Sequence, residues 1–279
     1  MKNILLPTDF SNNSLNAIDF AMQMFKDIEC AFHILNVQKA SSFVSDDLMT
    51  ASPSVNLYQA IIDASKKSLN NVIKSIETKY KNPKHQLVPI VDYDNFIDSI
   101  NQTCEVKNVD LIIMGTKGAS GLEKVVFGSN TVRVIQRGKI PVLAIPNNYC
   151  YVQFKEVALL SNYLIEYSKK DISIFLKIVD MYNSKVDVLY VSESKALTDA
   201  QEDNIRLLDK FFEKTAHEFI QLEGSDVYKK VDEFIKINKT ELLAMVNRKH
   251  SFLERLLSTQ KVEEFGFNIN VPFLVLQKH

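Results

Sequence analysis

Glycine is scarce in this chain, with seven in 279 residues, so unusual backbone freedom is needed only where glycine is concentrated. Cysteine is scarcer. Cys30, Cys104 and Cys150 are an odd, scattered set without CxxC spacing, which argues against a disulfide framework and a thiolate zinc site and suits a reducing compartment. Long apolar runs are missing as well. No stretch approaches the ~18–20 residues of a membrane span, and the apolar run before Pro7 and Asp9 is too short for a signal peptide, so a cytoplasmic chain without membrane contact is expected. Charge of one sign is lacking too. Lysine plus arginine (33) balance aspartate plus glutamate (34), so no global field steers the chain toward nucleic acid or an anionic membrane.

What is present is alternation. Short apolar runs at Asn3–Leu6, Ala31–Val37, Gln86–Val91, Asp110–Met114 and Val142–Ile145 read as strands. Segments with helical spacing lie between them at Ser11–Phe25, Leu57–Tyr80 and Asn95–Glu105. Strands alternating with helices imply parallel pairing with right-handed crossovers, hence a doubly wound sheet. At 279 residues the chain is comfortable for two domains of roughly 140.

The second half retraces the first. KEVALLSNY from Lys155 follows KNILLPTDF from Lys2, and KVDVLYVS from Lys185 follows AFHILNVQ from Ala31. A long helix is expected over Thr198–Gln221, matching Leu57–Tyr80. LIIMGTKGASGLEKVV (Leu111 on) lies over LLAMVNRKHSFLERLL (Leu242 on) at an offset of 131, which also carries Pro141 onto Pro272. This is a duplication at domain scale, with a junction near Asn147–Tyr151. The expected domains are 1–147 and 151–279.

Four of the glycines fall in GTKGASGLEKVVFGSN, residues Gly115 to Asn130. Gly115 follows a buried strand, so the segment starts at the carboxyl end of a parallel sheet, where open α/β folds bind ligands. Gly128 and Ser129 precede an apolar-periodic helix from Val132. A helix N-terminus with unpaired N–H groups, approached through glycine, is an anion cradle. The other reading makes these glycines plain turn residues and Ser129 a plain N-cap. Neither GxxxxGK[ST] nor GxGxxG is present. Lys117 and Lys124 can add charge or remain solvated. Asp9, at a strand end, can accept bonds from ribose hydroxyls or act as the N-cap of the following helix. His33 reads as a core or edge histidine, and no carboxylate or histidine is placed to activate water, so no catalytic residue is named.

Gly115, two residues, Gly118, nine residues, then Gly128-Ser129 resembles the nucleotide-binding pattern of the universal stress protein family. ILLPTDFS with Asp9 resembles that family's opening, and IPVLAIP at Ile140 its closing strand. The likeness covers the first half and extends weakly over the second. It implies two tandem doubly wound α/β domains with five-stranded parallel sheets, adenine nucleotide α-hydrolase-like and related by a pseudo-two-fold axis. It further implies ATP or a related adenine nucleotide, with or without Mg²⁺, and protein clients of unknown identity. Carried over by position, Asp9 would contact the ribose or adenine side, the Val37 backbone the adenine, and Gly115, Gly118, Gly128, Ser129 and Asn130 the phosphates.

The second copy loses these positions. Gly115, Gly118, Gly128 and Ser129 become Val246, Lys249, Thr259 and Gln260, and Asp9 becomes Asn162. The second half is therefore expected to be a degenerate partner. Its cluster of Arg248, Lys249, His250 and Arg255 can hold a different anion or stay solvated. The apolar last strands, Val142–Ile145 and Phe273–Leu276, are expected to pair antiparallel within the chain as a covalent pseudo-dimer, since bare apolar edges aggregate. A nucleotide-binding regulatory protein leads the functional readings, ahead of a slow ATPase or nucleotidyl-transfer enzyme and a scaffold without nucleotide affinity.

Overall fold

The computed structural model describes residues 1–38, 54–116, 127–194, 196–247 and 270–278, with the backbone alone for 54–58. In chain order the first half runs β1 (Asn3–Pro7), α1 (Asn12–Met24), β2 (Cys30–Val37), α2 (Ser54–Tyr80), β3 (His85–Asp92), α3 (Phe96–Val106), β4 (Leu111–Gly115), α4 (Ser129–Arg137) and β5 (Val142–Ile145). The second runs β6 (Glu156–Leu160), α5 (Ser173–Tyr182), β7 (Lys185–Ser192), α6 (Asp199–Phe211), β8 (His217–Glu223), α7 (Val227–Asn238), β9 (Leu242–Asn247) and β10 (Phe273–Gln277).

The ten strands form one sheet in the order β3-β2-β1-β4-β5-β10-β9-β6-β7-β8. Each half contributes five parallel strands in the same relative order, and the halves meet at β5 and β10, which run antiparallel. The expected edge pairing is what the sheet contains. Leu143 lies opposite Leu274, and the pairs to either side, Ala144 with Phe273 and Val142 with Val275, exchange equivalent positions of the two copies. The pseudo-two-fold axis therefore passes between the two leucines. Every residue of β5 is fully buried, as are Leu274 to Leu276. Burying such a side chain contributes roughly 1.5–3 kcal/mol, so these rows favour keeping the halves together.

Alternation along the buried strands feeds two cores. Ile4 and Leu6 face one core with Ala17 and Phe20 of α1, Leu69 of α2, Phe175 of α5 and Leu208 of α6. Leu5 faces the other, with Ile100 of α3, Ile135 of α4 and Val231 of α7. The sheet is thus covered on both faces, as parallel sheets require.

Backbone clamps repeat between the copies. Asp110 Oδ2 accepts the amides of Lys2 and Asn3, at 2.7 and 3.1 Å. In the second half Glu241 Oε2 accepts those of Lys155 and Glu156, the latter at 3.0 Å. One expectation fails. The span from Thr198 to Gln221 is α6 followed by strand β8, because the helix ends at Phe211 with Phe212 as its C-cap, and HEFIQLE then pairs in parallel with β7 from Val186–His217 to Ser192–Glu223. Apolar residues at Phe211, Phe212, Phe219 and Ile220 mimic helical spacing, but the open edge of β7 offers that stretch a full ladder.

Candidate functional site

In each half the strand order reverses between the first and fourth strands, β1 and β4 in the first copy, and ligands of open α/β sheets bind outside the carboxyl ends at such a switch point. Here the two halves differ. The β1–β4 pairing covers Ile4–Leu111 and Leu5–Ile112 and stops there, although β4 continues to Gly115. Pro7 has no N–H to extend the ladder. In the second copy Leu160 stands at the place of Pro7, and the β6–β9 pairing runs on through Leu159–Ala244 and Leu160–Met245. The hydrogen-bonded ladder at this seam is two residue pairs long in the first half and four in the second. Pro7 sets where this ladder ends, a role that reasoning from the sequence passed over, and its signal was a proline in the last position of a central strand.

The turn after β1 is held by side chains. Thr8 Oγ1 lies 2.9 Å from Ser14 Oγ and accepts the Phe10 amide at 3.0 Å, which supports the positive φ of 63° at Phe10. Asp9 Oδ1 accepts from the Ser11 amide at 3.0 Å and from Ser11 Oγ at 2.6 Å. The N-cap of α1 is Ser11, whose side chain accepts from the Ser14 amide, and not Asp9, whose carboxylate holds the turn by accepting from Ser11. The second copy reproduces this turn: Ser161 Oγ accepts the Tyr163 amide, Asn162 Oδ1 accepts the Leu164 amide, and Tyr163 has a φ of 57°. What Asp9 has beyond Asn162 is its charge, on an exposed side chain at the mouth of the seam.

Val37 ends β2. The Gln38 amide donates to Asp92 O at 2.9 Å, so by the alternation of a parallel ladder the N–H and C=O of Val37 face β1, which has already ended at Pro7. The Thr8 carbonyl, on the chain leaving β1, accepts from Asn36 Nδ2 at 2.7 Å.

Gly115 and Gly128 bracket the remaining wall. A Cβ at Gly115 would stand 2.5 Å from Asn13 Nδ2, so glycine there admits the buried Asn13 side chain of α1 against the end of β4. The Gly128 amide donates to Thr116 O at 2.6 Å, bringing the two ends of the glycine-rich segment together. The N-cap of α4 is Gly128 and not Ser129, and no side chain caps it. The amides of Ser129, Asn130 and Thr131 thus head the helix ahead of its first internal bond, Val132 N to Gly128 O at 3.1 Å. Ser129 and Asn130 are exposed, while Thr131 is buried and donates its hydroxyl to Gly115 O at 2.9 Å, tying the helix start to the strand end. Asp9, Val37, Gly115, Gly128, Ser129 and Asn130 all lie at the carboxyl ends of β1, β2 and β4 or at the α4 N-terminus. Gly118, Lys117 and Lys124 lie outside the described residues, as do Lys249, Thr259, Gln260 and the basic cluster from Arg248.

His33 is not brought to this site. It is buried within β2, its Nε2 is 3.4 Å from Asn3 Oδ1 at the start of β1, and burial followed by the charge of Lys107 lowers its pKa. Asp110 clamps the opposite end of the sheet.

A family model described as the universal stress protein family matches residues 1–146, more than half of the chain. The chain belongs to the universal stress protein family. A universal stress protein of Methanocaldococcus jannaschii is 31% identical over 148 residues, covering 52% of this chain and 81% of that relative. Universal stress protein A homolog 1 of Coxiella burnetii is 26% identical over 144 residues, covering 52% of this chain and 95% of its own. Both alignments reach half of the molecule. The crystal structure of a universal stress protein from Archaeoglobus fulgidus covers 99% of this chain and 96% of its own with a TM-score of 0.71 at 19% identity, a likeness of fold. Among the described residues no helix is long and apolar enough to cross a membrane.

The second half differs at the chain leaving its first strand. The connection after β6 is longer than that after β1, and it buries Tyr163, Tyr167 and Asp171. Gln201 Nε2 donates to Asn162 O at 2.9 Å and Asn204 Nδ2 to Tyr163 O at 2.7 Å, so α6 holds this connection down. Lys278 Nζ lies 2.9 Å from Asp171 Oδ2.

Proposed function

We propose that the protein binds one adenine nucleotide, ATP or a relative with or without Mg²⁺, in the seam of its first half, and that the bound nucleotide biases association with partner proteins. The observation that carries this reading is the β1–β4 ladder ended by Pro7 beside an uncapped helix N-terminus. The carboxyl end of β1 carries no ladder bond from Pro7 to β4, and the leading amides of α4 supply hydrogen-bond donors and partial positive charge for phosphate. The base is read by the backbone of Val37 and the ribose by Asp9, while Gly115, Gly118, Gly128, Ser129 and Asn130 line the phosphates. Residues 1–147 form the binding domain and 151–279 its degenerate partner, in a cytoplasmic protein.

Calorimetric titration with ATP tests this. One site per chain is expected, and Gly128→Val should weaken binding at least about 100-fold while leaving the far-UV spectrum unchanged, because a β-branched side chain occupies phosphate space. Two equivalent sites, or unchanged affinity in the variant, would refute the reading. Product analysis on the same samples separates binding from slow hydrolysis.

A further inference from the structure

Next to the Val37 backbone lies a relay of side-chain amides for which the nucleotide contacts above have no use. It begins at a backbone carbonyl. Thr8 O can only accept, so the Asn36 atom 2.7 Å away must be Nδ2, and Asn36 Oδ1 is left as an acceptor. The Gln38 atom 2.7 Å from that oxygen must then be a donor, Nε2. Both amide orientations therefore follow from chemistry, without an arbitrary flip. Asn36 is buried and bridges β2 to the chain leaving β1, so its amide lies across the gap onto which the N–H and C=O of Val37 open. Gln38, half-buried and anchored on Asn36, borders the same gap. Its Oε1 has no hydrogen-bond partner among the described residues.

Fold stability does not call for this relay. The second copy, which keeps the turn after its first strand and the bond from Ser161 N to Leu189 O, has Tyr190 and Ser192 at these places. The hydroxyl of Tyr190 instead receives Gln201 Nε2 from α6. The relay occurs only in the half whose ladder stops short.

We propose that Gln38 is a specificity-determining residue of the nucleotide site, its fixed carbonyl accepting a hydrogen bond from the exocyclic amino group of a 6-aminopurine and repelling the carbonyl of a 6-oxopurine. This rests on the nucleotide reading above and names a residue that reads the base. A site that orients a polar group toward one substrate group rejects the analogue that lacks it, because the protein atom is then left unpaired.

The test compares ATP with inosine triphosphate by calorimetric titration of the full-length protein and its Gln38→Met variant. The unmodified protein should bind ATP about tenfold or more tightly than inosine triphosphate. Gln38→Met should lose about tenfold in ATP affinity, the size of one hydrogen bond, with the inosine nucleotide changed less than about twofold, so that selectivity collapses. Gln38→Glu, whose carboxylate cannot donate to Asn36 Oδ1, loses the anchor that aims the acceptor and should lose the preference for ATP as well. Thermal unfolding of both variants controls for folding. If the unmodified protein binds ATP but does not discriminate, or Gln38→Met weakens both nucleotides equally, the role of Gln38 is overturned and the nucleotide reading stands. If the unmodified protein binds neither nucleotide, both are overturned.

Discussion

Pro7 and Leu160 occupy equivalent places, and one missing N–H separates a ladder of two pairs from one of four. Pro7→Leu restores a donor, so the β1–β4 ladder should extend toward the carboxyl ends. The expected outcome is an unfolding midpoint that is unchanged or raised, with ATP affinity reduced about tenfold or more in the same titration. His217 supplies a residue-scale test of pH dependence. Burial disfavours its imidazolium, but hydrogen bonds to Thr215 O (2.8 Å) and Asp209 Oδ1 (2.9 Å), with the charge of Asp209, outweigh that and raise its pKa above the usual value. A raised folded-state pKa means stability that is fully present below the unfolded pKa and lost as pH rises through the folded one. The difference in unfolding midpoint between the unmodified protein and His217→Gln should therefore be largest near pH 5.5 and shrink by pH 8. His33, whose pKa is lowered by burial, has the opposite sign, so the difference between proteins is the informative quantity and not either curve alone.

At the scale of elements, α4 joins the candidate site to the other half. Its N-terminus faces the seam, while at its far end Ile135 O accepts from both Asn247 Nδ2 and Gln277 Nε2, each at 3.1 Å, from β9 and β10. The residue before its cap, Phe127, packs its ring 5.8 Å from that of Phe273 in β10. Gly138 closes the helix with its amide on Val134 O, and a Cβ there would collide with that same carbonyl. Gly138→Ala should thus destabilise the protein by about 1–3 kcal/mol, read by denaturant unfolding, although alanine is otherwise the better helix former. Helix and strand patterns were legible where the period was clean, as in α1, α3 and β4. The Thr198–Gln221 misreading shows the limit: spacing alone does not show that β7 has an unoccupied edge awaiting β8.

For the whole molecule, the decisive contact is the antiparallel join of β5 and β10. It turns two sheet edges into the centre of one ten-stranded sheet. A chain ended after Asn147 would carry a bare, fully apolar edge, and such edges pair with whatever strand is available. That fragment is expected to self-associate at micromolar concentration, measured by light scattering, whereas the full chain lacks that route. A strictly monomeric, soluble fragment at high concentration would remove edge pairing as a driving force.

The sequence by itself determined the strand–helix alternation, the duplication, the apolar terminal strands and the loss of glycine in the second copy. These are local composition and periodicity, which one chain carries openly. Gly115, Gly128 and Asp9 were legible as a cluster because their neighbours in sequence end strands or begin helices. Only the tertiary structure decided that Pro7 stops a ladder while Leu160 continues one, because a missing donor matters only once its partner strand is known. The same holds for Gly128 displacing Ser129 as the cap of α4, for Asn13 as the reason for Gly115, and for the amides of Asn247 and Gln277 reaching across 112 and 142 positions to Ile135. Each depends on which groups meet across the sheet, and hydrogen bonds between groups far apart in sequence leave no periodic trace in it.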